Sequence, residues 1–144
     1  TLFRSNIKAY GVLTHRHTPE IEEQLGYACG NDVKIIFTPH LVPMNRGILV
    51  TEYANLTKNV TYDEVRAAYE KYYGNEYFIR LLPKDECPQT KWVEGSNFVD
   101  IGFKIAVYKR HIFFSIIFDS GIKSVSLKSS GSAYTAFNSF YHYA

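Results

Sequence analysis

The pattern that most constrains the fold is the alternation of short strand-like segments with only two segments that carry helix start signals. One signal is Thr18-Pro19-Glu20, a capping residue followed by a proline and an acid, and the other is the capping box from Thr61 to Glu64. The other regular segments are rich in β-branched and aromatic residues, as strands are. These predicted strands cover residues 7–14, 33–38, 48–53, 77–82, 91–93, 98–110 and 111–118. Their order along the chain predicts an α+β domain, with a mostly antiparallel, mixed sheet and helices on one face.

Each helix start is followed by apolar residues at helical spacing. We expect the first helix to run from Pro19 to about Tyr27, with Ile21 and Leu25 facing inward. The second helix should end at Gly74, because glycine is a frequent helix stop. Its inward face is predicted to carry Val65, Ala68, Tyr69 and Tyr72. The C-terminal residues, rich in Ser, Gly and aromatics, do not distinguish helix from strand.

Composition and charge argue against several classes of protein. The chain has 144 residues, which fits a single domain over residues 1–144, and its net charge of +2 without a basic run argues against a nucleic-acid partner. The sequence predicts no membrane span and no secretory signal. Its two cysteines do not make a disulfide framework, which favours a reduced setting, either the cytoplasm or an organelle matrix.

Two histidines stand at alternate positions just before the first helix. His15 and His17 are predicted to share one face at the end of a strand, with Arg16 on the other face. On the residues alone, three roles are open for them. The first is that both are ordinary structural histidines. The second is that they bind a metal together with His40. The third is that one imidazole does acid–base chemistry while either the second imidazole or Glu20 orients it.

The chain offers neither a convincing nucleophile nor a nucleotide-binding loop. Cys87 follows Asp85 and Glu86, whose negative charges disfavour a thiolate, and Cys29 has no basic neighbour in the sequence. A Gly-x-Gly-x-x-Gly run and a phosphate-binding loop are both lacking. Thiol chemistry or nucleotide binding would therefore need residues outside this chain.

Several longer runs, in a fixed order, resemble one enzyme family. They cover roughly residues 3 to 119 and comprise Lys8–Val12, His15–Ile21, Phe37–Met44, Arg46–Ile48, Tyr72–Tyr73, Val93–Asn97 and Asp100–Gly102. In this combination they are similar to the N-acetyl-γ-glutamyl-phosphate reductase family. The resemblance covers that family's catalytic and dimerisation domain, which in turn resembles those of glyceraldehyde-3-phosphate and aspartate-semialdehyde dehydrogenases.

The resemblance implies an oxidoreductase activity that the chain would share with a second domain. Family members reduce N-acetylglutamyl phosphate to the semialdehyde with NADPH, in arginine biosynthesis, using a cysteine at the end of a nucleotide-binding domain. For this chain the family pattern implies an acid–base role for His17, supported by His15, and substrate contacts by Glu20 and Arg46. For Arg46 a role in an interface pair or in anchoring a loop is an equal alternative. The implied partners are N-acetylglutamyl phosphate, a second copy of the chain, and the nucleotide-binding domain, which holds most of the NADP. The chain alone is therefore not expected to convert the substrate.

Residues 120–144 depart from the family pattern and form a divergent tail. Only a Ser-Gly-x-Ala step containing Gly131, and Asn138, are recognisable, so Gly131 is the cofactor contact that the tail suggests. Two other hypotheses stay open, the first of them supported by this departure and by the missing nucleophile. One is a non-catalytic dimerisation module derived from the enzyme, and the other is a small metal-binding protein that uses His15, His17 and His40.

Overall fold

The described part of the chain combines one mixed sheet with two α-helices. The computed structural model describes residues 6–44, 46–106 and 111–119, and the backbone of residues 135–141. The helices are α1, Thr18–Cys29, and α2, Tyr62–Tyr73, and a 3₁₀ helix spans Thr90–Trp92. The strands are β1 Lys8–Ala9, β2 Ile35–Phe37, β3 His40–Leu41, β4 Ile48–Asn55, β5 Ile79–Leu81, β6 Val99–Ala106, β7 His111–Phe118 and β8 Thr135–Tyr141. Neither helix of this part has the length and apolar character needed to cross a membrane.

All of these strands belong to one sheet with an antiparallel centre. Its order is β1-β3-β8-β4-β7-β6-β5, with β2 also paired to β8. Strand β4 is antiparallel to both β7 and β8, and β6–β7 and β1–β3 are antiparallel as well. Strand β8 runs parallel to β2 and β3, and β5 runs parallel to β6. The predicted α+β class with a mostly antiparallel, mixed sheet is thus confirmed.

Helix α2 packs on one face of this sheet, which we call the helical face. Its start is the predicted capping box, in which Thr61 and Glu64 each accept the other's backbone N–H. Tyr73 is buried there with Val99 and Ile101, and Tyr69 packs against the same cluster. Tyr73 therefore takes the inward position that the spacing assigned to Tyr72, which is exposed.

The pairing register shows that β2 presents Phe37 on the same helical face. Residue 137 of β8 pairs with Glu52 of β4 and also with Phe37 of β2. Directly paired residues point to the same side of a sheet, and Glu52 alternates with Val50 and Ala54, which pack beneath α2. Phe37, which is almost fully buried, therefore belongs to the same side of the sheet as α2.

The opposite side, which we call the open face, is covered over β6 by the preceding loop. A Cβ atom at Gly102 would approach the carbonyl oxygen of Glu86 to 2.6 Å and Cδ of Pro88 to 3.1 Å, so only glycine admits this loop. Next to it, the buried Asp100 carboxylate accepts hydrogen bonds from Nε and Nη2 of Arg80, at 2.6 and 2.8 Å. Pairing makes burial of this charge tolerable.

Two of the predicted strands are wrong, and one undecided segment is a strand. Residues 7–14 are extended only at Lys8–Ala9, because Gly11 and Leu13 adopt positive φ angles of 56° and 60° and turn the chain. Residues 91–93 lie in and just after the 3₁₀ helix, since Val93 donates its N–H to the carbonyl of Thr90. In the tail, residues 135–141 form β8, while 107–110 and 120–134 lie outside the described residues.

Helix α1 begins one residue before the predicted start. His17, and not Thr18, is the N-cap, and its carbonyl accepts the N–H of Ile21 at 2.9 Å. Thr18 is already helical, and its buried hydroxyl has no hydrogen-bond partner among the described residues. At the other end, Gly30 stops the helix in the left-handed conformation. The effect is to place a histidine, and not a threonine, at the helix entrance.

Candidate active site

His15 and His17 lie in a compact turn that leads from β1 into α1. They do not share a strand face, as the alternation predicted, because the chain has already turned at Gly11 and Leu13. The turn nevertheless brings the two imidazoles together, with ring centroids 5.0 Å apart in an edge-to-face arrangement. Turn geometry, and not strand periodicity, therefore creates the pair.

The His15 ring is held by aromatic contacts on the helical face. Its centroid lies 5.1 Å from that of Phe37 and 5.4 Å from that of Tyr10, both edge-on. A Cβ atom at Gly11 would come within 3.0 Å of Cδ2 of His15, and the positive φ of Gly11 also favours glycine. The turn is thus built to seat this imidazole against β2.

A hydrogen bond connects the two histidines directly. The backbone N–H of His17 donates to Nδ1 of His15 at 3.3 Å, which assigns the Nε2–H tautomer to a neutral His15. Desolvation, followed by the positive charges of His17 and Arg16, lowers the pKa of His15. Because a neutral ring is needed to accept this bond, the lowered pKa and the hydrogen bond favour the same state.

The other members of the predicted cluster lie around this turn in different roles. Glu20 is exposed in the first turn of α1, where an acid suits the positive end of the helix dipole. His40 sits on β3 opposite Ala9, with its Nδ1 3.1 Å from the carbonyl oxygen of Thr38. In the described ranges no group of three His, Cys, Asp or Glu side chains is placed to hold a metal ion. A metal site built from His15, His17 and His40 is therefore not formed.

Arg46 lies at the end of the sheet where β4 begins, beside a buried acid. Its Nη1 atom is 3.6 Å from Oδ2 of Asp119, which follows the last residue of β7. The same Oδ2 accepts the backbone N–H of Gly95 at 3.0 Å. The Asp119 side chain is 2% exposed, whereas that of Arg46 is 59% exposed. Sequence reasoning missed Asp119, although an acid directly after an apolar strand was a signal available for it.

Neither cysteine stands beside the histidine pair. Cys29 ends α1 while His17 precedes it, so the two are about 18 Å apart along the helix axis. Cys87 is exposed in the loop over β6, on the open face, whereas His15 lies on the helical face against β2. The described residues therefore pair no thiol with His17. Gly131, the cofactor contact predicted in the tail, lies outside the described residues.

Comparison with known proteins gives the same assignment over most of the chain. A family model described as the semialdehyde dehydrogenase dimerisation domain matches residues 2–119. A Lachnospira eligens protein named N-acetyl-gamma-glutamyl-phosphate reductase is 79% identical over 101 residues, which cover 69% of this chain and 29% of that protein. A protein of the same name from Lachnoclostridium phytofermentans is 62% identical over 100 residues, or 69% of this chain and 29% of the relative.

A more distant relative extends the match further along the chain. The protein of that name from Campylobacter jejuni subsp. doylei is 50% identical over 121 residues, covering 84% of this chain and 35% of its own length. The chain thus spans about a third of the length of the curated relatives that it matches.

Proposed function

Since the chain belongs to the semialdehyde dehydrogenase dimerisation domain family, we propose that it is the catalytic and dimerisation domain of an N-acetyl-γ-glutamyl-phosphate reductase. The observation that carries this proposal is the His15–His17 pair at the entrance of α1: the His15 ring packs against Phe37, accepts the backbone N–H of His17 and contacts the His17 ring edge-to-face. A paired, oriented imidazole is what acid–base chemistry at a thiol requires. The names of the relatives supply the substrate, N-acetylglutamyl phosphate.

In the proposed reaction His17 handles the proton of a cysteine thiol from the nucleotide-binding domain. An imidazole nitrogen of His17 takes the thiol proton, and the thiolate attacks the acyl carbon and expels phosphate. A hydride then adds to the acyl carbon of the resulting thioester, the C–S bond of the hemithioacetal anion breaks to give the aldehyde, and the proton returns from His17 to the departing thiolate. His15 positions His17 by accepting its backbone N–H, and Arg46 and Glu20 contact the substrate.

The hydride for this reduction comes from a nicotinamide cofactor, which we propose to be NADPH. The described residues include no glycine-rich loop able to cradle its phosphates, so they do not fit it as a binding site by themselves. We therefore assign cofactor binding to the nucleotide-binding domain.

The decisive test uses a hybrid enzyme. In the hybrid, residues 2–119 of this chain replace the corresponding segment of the Lachnospira eligens reductase, to which the chain is 79% identical over 101 residues. We expect the hybrid to reduce N-acetylglutamyl phosphate with NADPH at a rate within about tenfold of the parent enzyme. A hybrid that is folded and dimeric but inactive would contradict the catalytic assignment and support the non-catalytic dimerisation module.

The second part of the proposed function is dimerisation through the open face of the sheet. One row across this face carries Ile36, which is 58% exposed and joined through residue 136 of β8 to Tyr53, which is 44% exposed and pairs with Phe113. The Tyr53 and Phe113 rings are in contact, with centroids 5.3 Å apart. Exposed apolar side chains in one row are typical of a contact surface, and the family's description as a dimerisation domain supports a second copy of the chain as the proposed occupant.

Replacing Tyr53 with lysine is expected to raise the dimer dissociation constant at least about tenfold, because a charge would be buried in the interface. Sedimentation of the 144-residue chain over a range of concentrations measures this. The matched control is Tyr27→Lys on α1, an exposed tyrosine (74%) that does not belong to this row of strand residues. Equal dissociation constants for the two variants would show that the open face is not the dimer interface.

A further inference from the structure

Asp119 is a buried acid that the proposed reaction leaves without a role. It follows β7 at the end of the sheet, and the whole residue is 1% exposed. A carboxylate removed from water is costly unless donors or cations face it. Natural chains retain such a group where its partners have to be held in one place.

Two partners of Asp119 come from segments that are distant from each other in the sequence. The Gly95 N–H donates to Oδ2 from the loop before β6, and Gly95 holds a φ of +73°. On the other side of the same oxygen lies Nη1 of Arg46, from the turn before β4. That turn also contains Gly47, with a φ of +97°, where an added Cβ would touch Cγ2 of Thr90 at 3.4 Å. Asp119 thus connects the Arg46 turn to the loop of residues 90–98.

The contact leaves most of the Arg46 guanidinium free to face solvent. Its Nη1 atom forms an ion pair with Oδ2 of Asp119 at 3.6 Å, longer than a hydrogen bond, while the side chain as a whole is 59% exposed. Arginine has five N–H donors in a planar fork, so anchoring one edge aims the remaining donors. An arginine fixed in this way is suited to a carboxylate or a phosphate group.

The register of the sheet brings Arg46 to the end of the sheet that also holds β3. His40 and Leu41 pair with residues 140 and 141 of β8, and residue 140 pairs with Leu49 at the start of β4. The histidine turn lies at the N-terminal end of β3, because Tyr10 donates its N–H to the carbonyl of Pro39. Arg46 lies beyond the opposite, C-terminal end of β3, with β8 between β3 and β4.

We propose that Asp119 is a positioning residue, which anchors Arg46 so that its guanidinium binds an anionic group of the substrate. This inference rests on the proposed function for the identity of the substrate, but the anchoring itself does not. Electrostatics alone predicts the opposite effect, since a nearby negative charge weakens anion binding at Arg46. When the Asp119 carboxylate is removed, a positioning role therefore predicts weaker anion binding at Arg46, whereas simple charge repulsion predicts tighter binding.

The first experiment uses the 144-residue chain and inorganic phosphate as the probe. Phosphate is titrated while the Nε–H signal of Arg46 is followed by NMR. We expect Asp119→Asn to weaken phosphate binding by about tenfold, although it removes a negative charge, because Arg46 loses its anchor. Asp119→Glu keeps the charge but displaces the carboxylate, and it should weaken binding similarly. Unchanged or tighter binding in both variants, or no response of Arg46 to phosphate in the parent chain, would overturn the proposal.

The second experiment asks whether Asp119 acts through Arg46. In the hybrid enzyme, Asp119→Asn is expected to raise KM about tenfold and to change kcat less than threefold. In an Arg46→Gln background the same substitution should have no further effect on KM, since the group that it anchors is gone. Additive effects of the two substitutions on KM would contradict the positioning role.

A matched control separates positioning from loss of stability. Asp100→Asn removes the other buried acid–arginine pair, that with Arg80, which lies outside the candidate site. We expect it to lower the melting temperature without changing KM, whereas Asp119→Asn changes KM. If the parent hybrid is inactive, the proposed function fails, but the phosphate titration of the chain still decides whether Asp119 positions Arg46.

Discussion

Replacing His17 with alanine in the hybrid enzyme is expected to lower kcat/KM by on the order of 10²–10⁴-fold, the usual contribution of a positioned acid–base group. The substitution removes the imidazole that takes the thiol proton, while the carbonyl that begins α1 is a backbone group and remains. Alanine is a poor N-cap, but His17 makes no side-chain cap hydrogen bond, so the loss of helix stability should be small. Steady-state kinetics with N-acetylglutamyl phosphate and NADPH measures the effect.

The companion variant is His15→Phe, which keeps an aromatic ring against Phe37 but removes the Nδ1 acceptor. Its loss of kcat/KM should be smaller than that of His17→Ala, because His15 acts through the position of His17. The pH dependence of kcat/KM in the parent hybrid should also report the role of His15. Protonation of His15 removes the acceptor, and its pKa lies below the usual histidine value, so this loss should appear only at a pH below the normal imidazole range.

Two results would contradict these roles. If His15→Phe loses as much activity as His17→Ala, or more, then His15 is the acid–base group and the assignment is reversed. If both variants keep the parent kcat/KM, the histidine pair has no catalytic part, and the seating of His15 on Phe37 is purely structural. Circular dichroism of each variant checks that α1 and the sheet remain folded.

Replacing Glu52 with glutamine is expected to stabilise the chain by about 2–3 kcal/mol near pH 8 and to have little effect near pH 4. Burial raises the pKa of Glu52 to about 7, from 4.5 for an unperturbed glutamate. Its position on the helical face next to Tyr69 accounts for this, since the negative charge of Glu52 in turn raises the pKa of Tyr69, after burial itself.

The direction of this pH dependence follows from the number of protons bound by the folded and the unfolded chain. Between pH 4.5 and 7 the folded chain holds a proton on Glu52 that the unfolded chain has lost. Stability from this group is therefore complete below pH 4.5 and falls as the pH rises through 7. Glutamine carries no titratable proton, so its variant should lack this decline. Urea denaturation at several pH values measures the difference.

Glu64→Gln is the matched control, for which the expected change of stability with pH is opposite to that of Glu52→Gln. Hydrogen bonds from the backbone and side chain of Thr61 lower the pKa of Glu64, so its contribution is present at neutral pH and disappears as the solution becomes acidic. The variant should be slightly less stable than the parent at neutral pH and equal to it in strong acid. If Glu52→Gln showed the same pH dependence as Glu64→Gln, Glu52 would not be titrating in a desolvated position.

Sequence reasoning succeeded where the determining interactions are local. The capping box of Thr61 and Glu64 needs only residues of one helical turn, and it forms as predicted. Strand β7 also forms over its predicted residues, 111–118, because its apolar and aromatic residues suit a buried strand. The wrong prediction of a strand over residues 7–14 also has a local cause. The prediction gave more weight to the β-branched and aromatic residues of this segment than to Gly11, which forms a turn.

What the sequence by itself determined is the order of the elements, the helix start next to the histidines, and the family with its implied chemistry. What only the tertiary structure decided is which distant groups meet. Phe37 of β2 contacts the His15 ring, and Asp119 meets Arg46 and Gly95 at one end of the sheet. The physical reason is that strand register and loop packing depend on the whole sheet, so the contacts that build the candidate site are not encoded in the spacing of residues along any one segment.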